Sequence, residues 1–86
     1  MYKLAEEVSW NNVEDGAIVL VERSGEYMHL DKATCDFIDH LTNGQTVEQC
    51  IRRVAKIYPD ENVTQIRMDY STILQSLLDQ RILEVV

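Results

Sequence analysis

The hydrophobic period of this chain changes once, at Asp31, and that change limits the fold more than any other feature. Upstream, apolar residues follow the two-residue period of strands. Val8 and Trp10 alternate with polar neighbours, and Asp15-Gly16 then predicts a type I′ hairpin turn, in which both central residues take positive φ. Ala17-Ile18-Val19-Leu20-Val21 fits a central strand with both faces partly covered. Ser24-Gly25 predicts a second tight turn, and Glu26-Tyr27-Met28-His29-Leu30 returns as a third strand.

Downstream the period is helical. Asp31 is a good N-cap, Ala33, Phe37, Ile38 and Leu41 share one helix face, and Asn43-Gly44 supplies the stop. Thr46-Val47-Glu48-Gln49 is a capping box. Val47, Cys50, Ile51, Val54, Ile57 and Tyr58 then form one continuous apolar face before Pro59 ends the helix. Asn62-Val63-Thr64-Gln65 offers a second capping box, and Ile66, Tyr70, Ile73, Leu74, Leu77 and Leu78 carry a third helix to about Gln80. Ile82 to Val86 reads as a short extended tail packed on the body.

A three-stranded antiparallel sheet followed by three helices must cover one sheet face with the helices. The expected class is therefore a two-layer α+β domain with a winged helix-turn-helix-like outline. At 86 residues the chain is expected to form a single domain, 1–86. A core of that size leaves little room for a buried catalytic apparatus.

Composition narrows the partners. Eight Lys and Arg stand against 15 Asp and Glu, for a net charge of −7, which disfavours a nucleic-acid backbone. The longest apolar run, Ala17 to Val21, is far short of the ~20 residues that span a bilayer, so no membrane partner is expected. The N-terminus lacks the basic start and apolar stretch of a signal peptide, and two cysteines are too few for a disulfide scaffold. The expected location is cytoplasmic.

Chemistry-bearing motifs are absent. Ser9, Ser24, Ser71 and Ser76 are accompanied by two histidines, His29 and His40, neither in a catalytic motif, and three isolated glycines make no phosphate loop. The spacings of His29, Cys35, His40 and Cys50 match no metal-chelating pair. No enzymatic activity, metal or cofactor is expected. Arg52, Arg53 and Lys56 make a small basic cluster, and Gln65, Arg67, Gln75 and Arg81 would serve a recognition helix, but Asp69 and Asp79 interrupt that face. A winged-helix DNA-binding or transcription-complex regulator is thus the alternative function.

The third strand is the strongest binding candidate. Tyr27, Met28, His29 and Leu30 carry little of the charge, proline or bulging that protects natural sheet edges. Such an edge can take a peptide as a further strand. Equally, Ile82 to Val86 can pair there and close it, and periodicity does not choose between the two.

The run Asp15-Gly16-Ala17-Ile18-Val19-Leu20 followed by Gly25-Glu26-Tyr27-Met28-His29-Leu30-Asp31 resembles the PqqD-like family, the RiPP recognition elements. Ala33, Phe37, Ile38 and Leu41, the Gly44-Gln45-Thr46 junction, Ile51, Tyr58 and Asp69, and finally Leu74, Leu77, Ile82 and Leu83 continue the family pattern in order. The resemblance covers about residues 15 to 86, with two departures: Asp31 stands where the family usually has Asn, and Arg81 where it often has Gly. It implies recognition of the leader segment of a ribosomally made precursor peptide, which a separate peptidase or modifying enzyme then processes. The subgroup it is most similar to is the stand-alone leader-binding subunit of lasso-peptide systems. It also implies a binding cleft between the third strand and the third helix. Carried onto this chain, the strand side is Tyr27, Met28, His29 and Leu30, and the helix side is drawn from Ile66, Asp69, Tyr70, Ile73, Leu74 and Leu77, some of which must be core.

Overall fold

The computed structural model describes residues 1–86. Strands β1 (Tyr2–Leu4), β2 (Val8–Val13), β3 (Gly16–Val21) and β4 (Glu26–Asp31) come first. Helices α1 (Lys32–Thr42), α2 (Val47–Ile57) and α3 (Val63–Asp79) follow, and β5 (Leu83–Val85) ends the chain. The expected three-stranded sheet is present as β2-β3-β4, antiparallel throughout, and the three helices follow it as expected for an α+β chain. The strand expected third is therefore β4.

The central strand buries alternate residues. Ala17, Val19 and Val21 are buried, while Ile18 and Leu20 on the other face are half-buried, so β3 is fully covered on one side and partly on the other. Phe37, Ile38 and Leu41 from α1, Cys50 from α2, Leu77 from α3 and Ile82 and Leu83 after it complete the core cluster. Each fully buried aliphatic or aromatic side chain contributes about 1.5–3 kcal/mol. Ala33, placed on the α1 face by its spacing, is exposed, and the buried face of α1 begins at Phe37. Ile57 and Tyr58 are also 60% and 58% exposed. The buried part of the α2 stripe is therefore its first half, at Cys50 and Ile51.

Caps set the helix starts. The Asp31 carboxylate accepts the Thr34 N–H at 2.8 Å, and Thr46 and Gln49 form the expected reciprocal box at 3.1 and 2.8 Å. Asn62 caps α3 through the N–H groups of Thr64 and Gln65, but the second capping box is not made. The Gln65 side chain turns forward along the helix instead, its Nε2 donating to Asp69 at 2.8 Å, and does not reach back to the Asn62 N–H.

Both hairpins differ from their expected turns. Val13 pairs with Gly16, so the two turn residues are Glu14 and Asp15, neither with positive φ, and the turn is not type I′. Gly16 itself carries the positive φ, +145°, where a Cβ would lie 2.0 Å from the Leu30 carbonyl oxygen. The second hairpin closes through the four residues Glu22 to Gly25, with the Gly25 N–H donating to Val21 at 2.8 Å.

The chain ends are paired with one another. β1 and β5 form a separate two-stranded antiparallel sheet, with Tyr2 opposite Val85 and Leu4 opposite Leu83. β1 was not anticipated from the sequence. Its consequence is decisive for the site, because the tail is spent on β1 and β4 has β3 as its only strand neighbour.

Candidate functional site

β4 presents its two faces differently. The register places Met28 opposite Val19 and Leu30 opposite Ala17, on the face that packs against the core. Tyr27 and His29 pair with Leu20 and Ile18 on the opposite face and are exposed, Tyr27 by 71%. The four strand residues expected to line one cleft thus divide, Met28 and Leu30 toward the helices and Tyr27 and His29 away from them.

Backbone direction follows from one bond beyond the ladder. The Glu22 N–H donates to the Glu7 carbonyl at 2.8 Å, one step past the Val8–Val21 pair. Bonded and non-bonded pairs alternate in an antiparallel ladder, so Glu22, Leu20 and Ile18 point their backbone groups at β2. Val21, Val19 and Ala17 therefore point theirs at β4, where Glu26, Met28 and Leu30 receive them. The N–H and C=O of Tyr27 and His29 face the open edge.

On the helix side, Tyr70, Ile73 and Leu74 are half-buried and pack against the same core cluster as Met28 and Leu30. The Tyr70 ring stacks on Phe37 of α1, with centroids 4.5 Å apart and planes tilted by 35°. Burial pushes the Tyr70 phenol above its ordinary pKa. Ile66 and Leu77 are buried, which makes them structural. Asp69 is exposed and tied to Gln65.

At the foot of β4, hydrogen bonding by Thr34, whose backbone N–H lies 2.8 Å from the carboxylate, holds the Asp31 carboxyl below its ordinary value, with a smaller contribution from His29. Cys35 and Cys50 are free thiols, each pushed up chiefly by burial. No three His, Cys, Asp or Glu side chains are grouped as metal ligands would be, and no helix is long and apolar enough to cross a membrane. Three residues of the basic set have partners: Arg67 binds Glu48 through both terminal nitrogens, Arg52 lies 3.9 Å from the same carboxylate, and Arg53 donates to Gln45 at 3.2 Å.

Sequence reasoning missed the outward direction of Tyr27 and His29 and the role of β1. Neither leaves a local signal, since the first depends on ladder register and the second on contact between the chain ends.

Comparison with known proteins gives three results. Residues 16–83 match the model of the family described as Coenzyme PQQ synthesis protein D (PqqD). Among curated proteins no sequence matches. Two solved structures share the fold. One is a lasso peptide synthetase B1 complexed with the leader peptide, with a TM-score of 0.85, 21% identity and 98% of each chain covered. The other is TbiB1 in complex with the TbiA(beta) leader peptide, with a TM-score of 0.81, 20% identity, and 98% of this chain and 96% of that one covered.

Proposed function

Because the chain belongs to the PqqD family, we propose that it is a non-catalytic binder of the leader segment of a ribosomally made precursor peptide, which it holds for a separate processing enzyme such as a peptidase. The observation that carries this reading is the open β4 edge, with the backbone of Tyr27 and His29 directed outward, while Tyr70, Ile73 and Leu74 of α3 pack half-buried against the same core cluster as Met28 and Leu30. Both solved structures of similar fold hold a leader peptide, which supports the same reading.

A peptide added along β4 exchanges backbone hydrogen bonds at Tyr27 and His29, each contributing about 0.5–1.5 kcal/mol net. Its side chains alternate. Those opposite Met28 and Leu30 turn toward α3, and their neighbours meet Tyr27 and His29 on the outer face. The ligand this geometry selects therefore has apolar residues two apart, and a few of them supply most of the affinity. Nothing in this role needs a catalytic group, a cofactor or a nucleic acid.

The test is calorimetry with a synthetic peptide covering the leader of the precursor encoded beside this chain's gene. Wild type is expected to bind it, and a Tyr70→Asp/Ile73→Asp variant to bind at least ~2 kcal/mol more weakly. A thermal melt separates lost binding from lost fold, since Tyr70 also stacks on Phe37. Absence of such a precursor, absence of wild-type binding, or full affinity in the folded double variant would overturn the reading.

A further inference from the structure

We propose that a peptide lying along β4 continues past Glu26 and seats an apolar, non-acidic side chain in a second pocket, beneath Arg81 at the end of the molecule. This inference rests on the leader-binding reading and adds a subsite to it. Two cavities meet in this region. The smaller, about 350 Å³, lies between the start of β4 at Glu26 and the end of α3 at Asp79 and Gln80. The larger, about 480 Å³, has buried Val21 and Leu83 together with Ala5, Leu78 and Val85 in its lining. Val21, Arg23 and Arg81 line both, so one groove runs from the β4 edge to the apolar pocket.

Arg81 marks the crossing. After α3 the N–H groups of Arg81 and Ile82 donate to Leu78 and Leu77, at 3.1 and 3.0 Å, which makes a Schellman turn with Arg81 in its left-handed position. The same turn after α1 uses Gly44 at φ +94°, whereas Arg81 sits at φ +60° with a full side chain. A strained backbone that keeps a side chain where glycine fits better points to a use for that side chain. Arg23 is paired with Glu7 at 3.2 Å, but Arg81 has no carboxylate within ion-pair reach. Its guanidinium is free for a carbonyl of the crossing peptide. Glu6 and Glu84 also line the pocket and disfavour an acidic occupant.

The experiment compares synthetic leader peptides: the segment that pairs with β4, and two versions extended at one end or the other. One extension is expected to raise affinity at least tenfold. Val85→Trp or Ala5→Trp, each filling the pocket, should abolish that gain while the short peptide's Kd stays within twofold. Replacing the extension's apolar residues singly with Ala or Asp should abolish it too, without altering the protein. No gain from either extension overturns the subsite, as does a gain that survives both pocket fillings or every peptide replacement. The short peptide binds in those cases, so the leader-binding reading stands. If no peptide binds wild type, that reading fails and takes the subsite with it.

Discussion

Proline substitution along β4 tests both the strand-addition idea and the backbone parity behind it. His29→Pro deletes an N–H that faces the open edge, whereas Met28→Pro deletes one directed at Val19 within the sheet. Proline is tolerated on an edge strand when its missing N–H would face outward. His29→Pro should therefore leave the fold nearly as stable as His29→Ala, which controls for the imidazole. Met28→Pro leaves the Val19 carbonyl without its partner, at a cost of about 1–3 kcal/mol. For a domain of this size each 1 kcal/mol lowers Tm by roughly 4–8 °C. Binding should move the other way. Loss of one interchain hydrogen bond, about 0.5–1.5 kcal/mol, weakens peptide affinity by about two- to twelvefold for His29→Pro relative to His29→Ala. Calorimetry on the leader peptide and thermal melts followed by circular dichroism read both axes. Unchanged affinity in folded His29→Pro would refute strand addition at this edge. Equal stability of the two proline variants would refute the assigned parity.

Arg81→Gly relieves a left-handed conformation that costs a non-glycine residue roughly 1–2 kcal/mol, partly offset by glycine's greater freedom when unfolded. Its Tm should rise by several degrees while the gain from the extended peptide shrinks; an unchanged or lower Tm would contradict the strain. Gly16→Ala forces a Cβ against the Leu30 carbonyl, a backbone atom that cannot swing aside, and should cost at least ~2 kcal/mol in a urea titration. The Asp31 carboxyl is held below its ordinary value of 3.8, so its stabilising contribution is complete above that pH and disappears as pH falls through the lower folded value. Asn caps a helix about as well without titrating, so wild type should lose stability more steeply than Asp31→Asn below about pH 4 in acid melts. Parallel acid profiles would remove Asp31 from the account.

The features legible in the sequence are those set by neighbours in the chain. The apolar, β-branched run around Val19, the change of period at Asp31, the Thr46–Gln49 box and the stop at Asn43-Gly44 all reflect local backbone and side-chain physics, and each element appears where its residues predict it. The family resemblance rests on that same ordered pattern. Partner choice between distant segments was not legible. Tyr2–Leu4 is too short to show a period, and it becomes a strand only because β5 arrives beside it from the far end of the chain. That pairing decides the site, since the same tail laid on β4 would have closed the edge. Register likewise decides that Tyr27 and His29 turn their backbone outward while Met28 and Leu30 turn their side chains inward. Tertiary packing likewise leaves Ile57 and Tyr58, apolar by pattern, in water. Local physics sets which elements form; the competition among long-range contacts sets which of their surfaces stay free.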